Sequence, residues 1–401
     1  MKINKKSCEK GASTGSQDLT RKTIQGILAT AFLSTFGVGA FTFVLSLKAG
    51  TVGLSSAWLG LAFSGYFLAR CALAPLAGYG ADYFGAMPLL LMATGTGAII
   101  PALYCFFPST EIFWIIQFCF GLCIGIVKPV SMSFLGECVT RDRRGRFFGA
   151  YNTCLYSAFV FGPLAGGATV GLQDELGLPV LIWPFLGMCV SFLLLLRGRR
   201  ISSRGQGVRR KRNGVPWGDA RFITLLLAVL GRTTGASVMI TFLPRIISEN
   251  YVLSGFWSGF LFTIPNLVIV LAMPVTGKWS DIRDRSGLTF LGMGLCAACL
   301  FGLGQPVSIV GFFFLATIMG FGSAVSLPAS MSLAADLESA RGGVMGIFLA
   351  ASNLGFIFGP ALAGFAAERG SMADAFELTA LFSALCLLPT FILMARKLHA
   401  E

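Results

Sequence analysis

Two stretches of this chain are one segment written twice. Residues 43–82 and 242–281 align at a constant offset of 199 with no gap. Phe43 falls on Phe242, Leu54 on Leu253, Ser55 on Ser254, Trp58 on Trp257, Gly60 on Gly259, Phe63 on Phe262, Pro75 on Pro274, Gly78 on Gly277 and Asp82 on Asp281. Downstream, Pro-Val-Ser-Met-Ser at 129–133 meets Pro-Ala-Ser-Met-Ser at 328–332, and after a two-residue slip Gly162-Pro163 meets Gly359-Pro360. Tandem copies impose one fold on both units, so whatever one half builds the other must build too.

Hydropathy decides what each copy can build. Mean hydropathy is +0.76, and only 12% of residues are charged. Apolar runs near twenty residues recur along the whole length, each able to cross a hydrocarbon core of about 30 Å as a helix. Lipid offers backbone amides no partner, so the spans must satisfy themselves as helices; a barrel would need short alternating strands, which the sequence lacks. Twelve spans are expected, near 24–47, 56–79, 86–107, 112–136, 146–171, 178–196, 222–247, 255–276, 287–304, 308–334, 343–367 and 375–395. The expected fold is therefore an all-α membrane protein with twelve transmembrane helices in two pseudo-symmetric six-helix bundles, 23–196 and 222–395. A basic linker at 197–221 joins them, and tails at 1–22 and 396–401 flank them. In a membrane protein, such a duplication points to a transporter with its site between the halves. The 50 glycines fit close helix packing in lipid.

Basic residues set the expected orientation. The N-terminal tail, the loops after spans 4, 6 and 8, Arg341, Arg396 and Lys397 hold most of the lysines and arginines. The opposite side holds only Lys48, Arg245 and Arg369. Both termini and the linker are thus expected in the cytoplasm, in the inner (plasma) membrane. The formal charge of +13 is this bias and needs no nucleic-acid partner. The polar tail has no apolar core of a cleavable signal. Cys71, Cys105, Cys119, Cys123, Cys189, Cys296 and Cys299 fall within or at the ends of spans, where they act as small apolar residues rather than a disulfide framework.

Three motifs then carry a family resemblance. The loop after span 2 reads Gly78-Tyr-Gly-Ala-Asp82-Tyr-Phe-Gly85, with Gly277-Lys-Trp-Ser-Asp281 as its copy. Span 4 ends in Gly136-Glu137 before Arg141, Arg143 and Arg144, and Asp336 with Arg341 stands at the equivalent place. Span 5 carries Gly162-Pro163-Leu-Ala-Gly166-Gly167 and span 11 Gly355-x-x-x-Gly359-Pro360. The chain resembles the major facilitator superfamily over residues 23–395. The first loop departs from the pattern, with Ala86 and Met87 where basic residues usually follow the Asp. The resemblance implies twelve helices and alternating access, with Asp82, Glu137, Arg144, Asp281, Asp336, Arg341, Gly162, Pro163, Gly359 and Pro360 as gating residues. The acids can pair with arginines or cap helix starts, and the prolines bend their helices.

Charge inside the spans points to the cargo. Arg70, Lys128 and Arg232 lie deep, and no Asp, Glu or His lies at comparable depth. Arg70 precedes Gly78 by eight residues, as Lys128 precedes Gly136, which places both about 12 Å inside their helix ends. Intramembrane charge is costly and marks function. Snorkelling could account for Lys128 or Arg70 alone, but Arg232 is too deep for it. Their repeat partners are Ile269, Leu327 and Leu33, so these cations occur once, as ligands for an asymmetric cargo would. The family resembled places spans 2, 4 and 7 around a central cavity. Arg grips a carboxylate or phosphate with two parallel bonds, and Lys supplies a point charge. Tyr66, Gln117, Tyr156, Asn266 and Asn353 are further candidate substrate ligands, and Ser64, Tyr151, Asn152, Thr233, Thr234 and Ser237 are possible neighbours.

The expected function is a secondary active transporter of a small organic anion, a carboxylate or phosphate ester. A proton-coupled multidrug exporter is the alternative, and a transporter-like receptor or scaffold a third. The only histidine is His399 in the tail, so coupling is left to a counter-anion, to the substrate's own proton, or to membrane-edge acids such as Glu137 and Asp336. The expected partners are the anionic solute, the lipid bilayer, and a coupled proton or counter-anion. The state expected is monomeric, with no nucleic acid, metal or cofactor. There is no nucleophile–base pair, metal cluster or G-x-x-x-x-G-K loop, so neither an enzyme nor an ATP-driven pump is expected.

Overall fold

The computed structural model describes residues 5–49, 53–104, 110–138, 144–170, 182–198, 218–340 and 344–398. Among these it has twelve helices: α1 Lys5–Lys48, α2 Ser56–Phe84, α3 Ala86–Tyr104, α4 Thr110–Cys138, α5 Arg144–Ala168, α6 Ile182–Gly198, α7 Ala220–Asn250, α8 Gly255–Ile282, α9 Arg285–Gly304, α10 Ile309–Ala340, α11 Val344–Arg369 and α12 Met372–Leu398. Eight segments among the described residues are long and apolar enough to cross a bilayer. The helices begin where the sequence can satisfy free amides. Ser55 accepts from the Trp58 amide, Asp219 from Arg221 and Asp284 from Gly287, the usual N-cap geometry. Gly85, at φ +87°, lets the chain turn from α2 straight into α3.

One helix extends beyond its membrane span, whose crossing segment Ile24–Lys48 lies where 24–47 was expected. α1 begins at Lys5, so helix runs through the polar segment read as a tail. That segment contains no proline, and its lysines, glutamate and glutamine are good helix formers. Of the linker, residues 199–217 lie outside the described set.

The repeat reappears in the packing. Within the first half α1 packs on α5 and α6, α2 on α4, and α3 on α4 and α6. Within the second, α7 packs on α11 and α12, α8 on α10, and α9 on α10 and α12. These are the same contacts moved by six helices. Between halves, α2 meets α11, α5 meets α8, and α1 meets α7, a set that maps onto itself when the halves are exchanged. α3, α6, α9 and α12 pack on the outside of their own bundles.

The apolar core shows how the halves stand. One buried cluster is shared between them, joining Phe41, Phe43 and Val44 to Val238, Phe242 and Phe262. It lies toward the end remote from the chain termini. At the other end the core divides in two: Ile24, Ile27, Phe134 and Tyr151 belong to one half alone, and Phe222, Leu225, Met293 and Phe348 to the other. Leu76, Tyr83 and Phe84 near the far end of α2, and Val275 and Ile282 near that of α8, are exposed. Gly277, in the same region, meets nothing within 4 Å. Among the described residues the buried core is shared by the halves at one end and divided between them at the other.

Candidate functional site

The closed end is made of two equivalent seams. In one, α2 lies on α11 at Gly60, where a Cβ would come 2.2 Å from the Pro360 carbonyl oxygen. In the other, α8 lies on α5 at Gly259, where a Cβ would come 2.6 Å from the Pro163 carbonyl oxygen. Gly60 and Gly259 are repeat partners, as are Pro163 and Pro360. One turn outward, Gly364 packs on the Ser56 carbonyl and Gly167 on that of Gly255, again related by the repeat. Polar contacts complete the closure. The Ser46 hydroxyl donates to the Thr241 carbonyl, and Thr263 donates to the Val160 carbonyl at 3.2 Å. The Ala57 amide donates to the Glu368 carboxylate at 3.2 Å. Arg245 reaches Ser56 at 3.0 Å while held by Glu249 at 2.7 Å.

The prolines and glycines read as gating residues thus divide their work. Gly162 and Gly359 seat their helices inside their own half. A Cβ on Gly162 would come 2.6 Å from the Phe36 carbonyl of α1, and one on Gly359 would come 2.1 Å from Ser237 Oγ of α7. Pro163 and Pro360 present their carbonyls to the opposite half. Asp82, Glu137, Arg144, Asp281 and Asp336 stand in helix segments whose side chains lie outside the described residues, and Arg341 lies outside them altogether.

Below the seams the deep cations face polar neighbours. Arg70 on α2 lies within electrostatic reach of Tyr66 one turn before it, of Lys128 on α4 and of Tyr151 on α5. This grouping depends on two glycines. A Cβ at Gly121 would come 2.3 Å from the Tyr66 carbonyl, and one at Gly125 would come 2.9 Å from the Arg70 Cα. α4 therefore lies backbone-to-backbone on α2 at the level where Arg70 and Lys128 emerge. Lys128 is exposed at the helix surface and Arg70 half-buried. Gln117, one turn before Gly121, is buried. The Tyr151 and Ser131 hydroxyls are buried and lie within reach of each other. Replacing Gly121 with Val is expected to force the two helices apart, at about 1–3 kcal/mol for overpacking. A lowered melting temperature together with weakened cargo binding would show it; unchanged values of both would separate this contact from the site.

Arg232 stands in the other half. It lies within electrostatic reach of Tyr156 on α5, across the boundary between halves. Its Nε is buried with no hydrogen-bond partner. Behind it, between α7, α9, α10 and α12, is a cavity of about 30 Å³ lined among others by Cys296, Met319, Ser323 and Ser383. Asn266 on α8 and Asn353 on α11 are half-buried. Thr233, Thr234 and Ser237 lie elsewhere. They bond to carbonyls of α7, and Thr233 and Ser237 meet the α11 glycines Gly355 and Gly359, so they seat one helix on another. A groove of about 810 Å³ between α9 and α12 is lined chiefly by apolar side chains such as Phe290, Phe301 and Phe391, on the outer face where acyl chains would fill it.

Ser131, Cys296, Ser323 and Ser383 were not singled out by the sequence. Ser131 follows Lys128 by three residues and shares its helix face. The other three come from separate helices, and no spacing announces them.

The comparisons agree with this architecture. A family model described as Major Facilitator Superfamily matches residues 27–309 and 224–400. An uncharacterized MFS-type transporter of Methanocaldococcus jannaschii is 24% identical over 382 residues, 90% of this chain and 95% of that protein. Multidrug resistance protein MdtG of Citrobacter koseri is 30% identical over 276 residues, 63% of this chain and 66% of that protein. Among solved structures, a bacterial homolog to the human lysosomal transporter Spinster, in an inward-facing and occupied conformation, has a TM-score of 0.76 at 15% identity. The match covers 92% of this chain and 96% of that one, and such identity speaks for the fold alone. Two repeat-related bundles meeting at paired seams are the architecture this family model covers along nearly the whole chain; the protein belongs to the Major Facilitator Superfamily, as a multi-pass secondary transporter and not an enzyme.

Proposed function

We propose that the transporter moves a small organic anion, a carboxylate or a phosphate ester, by rocking its halves about the space between Arg70, Lys128 and Arg232. The observation that carries this is the charge inside the bundle: Arg70 and Lys128 lie side by side on the inner helices α2 and α4, and Arg232 faces Tyr156 of the other half. Among the described residues no acid stands beside them. Uncompensated charge within membrane-spanning helices is expensive, and an anionic cargo offsets it on arrival. Arg70 supplies the fork that matches a carboxylate or phosphate, Lys128 a second charge, and Tyr66, Tyr156, Gln117, Asn266 and Asn353 the remaining bonds.

The positive-inside bias puts both termini in the cytoplasm of a plasma-membrane protein. On that orientation the end where the core divides faces the cytoplasm, and the Gly60–Pro360 and Gly259–Pro163 seams close the outer side. Asp82, Glu137, Asp281 and Asp336, with Arg144 and Arg341, would form the inner closure in the opposite state. The anion leaves the cations mutually repelling, so the empty carrier resets only by exchange or with an accompanying proton.

The similarity to a multidrug resistance protein favours a second reading, a proton-coupled exporter of drug-like molecules. A melting-temperature screen of the purified protein separates the two. Carboxylates and phosphate esters at a hundredfold excess over Kd should stabilise it by about 2.7 kcal/mol, and neutral or cationic solutes should not. Stabilisation by lipophilic cations, with anions inert, would transfer the case to the exporter.

A further inference from the structure

Behind Arg232 lies a space that the transported anion cannot enter. The cavity measures about 30 Å³, room for roughly two water-sized positions. A carboxylate or phosphate ester with any carbon chain exceeds it. Met293, Leu300, Leu387 and Ala297 give it largely apolar walls. Two donors are available within that wall. The buried Arg232 Nε has no partner. Among the described residues Ser323 Oγ has the Cys296 sulfur alone, at 3.3 Å, and that thiol has the Met319 carbonyl as an acceptor at 3.5 Å. Sulfur is a weak acceptor, so the Ser323 proton is readily turned elsewhere. Ser383, by contrast, is committed to the Gly231 carbonyl at 2.9 Å.

We infer that this cavity binds one monoatomic inorganic anion of the halide class, held between Arg232 Nε–H and the Ser323 hydroxyl. A water molecule could satisfy the donors but would leave the guanidinium charge uncancelled among apolar side chains, which is the costlier state. A chloride, larger than water but within the room of roughly two water positions, accepts from both donors and cancels the charge. It demands no further hydrogen bonds of the apolar wall. The inference deepens the reading of Arg232 as a cation of the central site, and rests on its being charged there. It adds a second, smaller anion on the side of the same guanidinium turned toward the outer helices α9 and α12, so Arg232 offers the cargo oriented N–H donors while Arg70 and Lys128 supply the uncompensated charge.

The test uses the full-length purified protein in methanesulfonate, an anion too large for the cavity and neither a carboxylate nor a phosphate ester, with bromide or chloride replacing it at constant ionic strength. The melting temperature of the wild type should rise saturably with halide. Ser323→Ala should raise the half-saturating concentration about tenfold or more, as for loss of a hydrogen bond to a charge, while keeping its stabilisation by organic anions. Arg232→Gln should abolish the halide response. A wild type indifferent to halide, or an Arg232→Gln or Ser323→Ala protein responding like the wild type, would overturn the assignment. If halides stabilise saturably but no organic anion does, the cargo reading falls and the halide site stands. The reverse result removes the halide site alone.

Discussion

Replacing Arg70 or Lys128 with alanine is expected to do two opposite things: to stabilise the empty transporter and to abolish its response to anionic cargo. The two cations share one level of the α2–α4 contact, and like charges brought together by packing repel. Removing either relieves that repulsion, so the melting temperature without ligand should rise. Arg70→Ala also loses a pair of charge-assisted bonds, each worth about 1.5–3 kcal/mol, so affinity should fall by at least about a hundredfold. Arg70→Lys, which keeps the charge but not the fork, should recover part of the binding. The check is a melting curve with and without cargo, beside uptake in proteoliposomes. A destabilised but transport-competent Arg70→Ala protein would contradict the assignment, because a merely structural arginine would behave that way. The pattern is the familiar exchange of stability for function at a working site.

Gly60→Val and Gly259→Val are expected to hold the outer seams apart. A Cβ at either position falls well inside contact distance of a proline carbonyl in the other half, and main-chain atoms of a packed helix cannot step aside. Overpacking of this kind costs about 1–3 kcal/mol, which shifts a two-state equilibrium by about 5- to 150-fold. The penalty falls only on the state with the seam closed, so turnover should drop by an order of magnitude or more while cargo affinity in the other state survives. Spin-label distances between the first turn of α2 and the last turn of α11 should lengthen. If they stay as in the wild type and turnover is intact, the seam is not part of the cycle.

Much of the fold was legible because lipid leaves the backbone so few options. Apolar runs of span length could only be helices, and the duplication meant that solving one half solved the other. The crossing part of α1 was legible, but its extension back to Lys5 was not, because apolarity marks where a helix enters lipid, not where helix begins. The three deep cations could be picked out by depth and lack of repetition, and they and Tyr66 lie on helices the resemblance had already placed around the cavity, whereas the approach of Tyr156 on α5 to Arg232 is a fact about how the halves dock. Other parts could not be read. Gly60 and Gly259 stood out as a repeated pair, but that each rests on a proline carbonyl of the opposite half is a fact about how halves dock. Gly121 and Gly125 looked like any glycines among 50. Thr233, Thr234 and Ser237 looked like ligands because a hydroxyl in a span is polar; in the structure they spend their protons on carbonyls of the same helix, as such residues commonly do. Cys296, Ser323 and Ser383 converge on Arg232 from three helices, which no linear pattern records.

The paired seams rest on main-chain oxygens and absent side chains, so nothing in them has to match the identity of what is carried. Residues lining the interior can drift under selection for new cargo without disturbing the surfaces that part and rejoin. A lineage using this device can diversify its solutes while inheriting its motion unchanged.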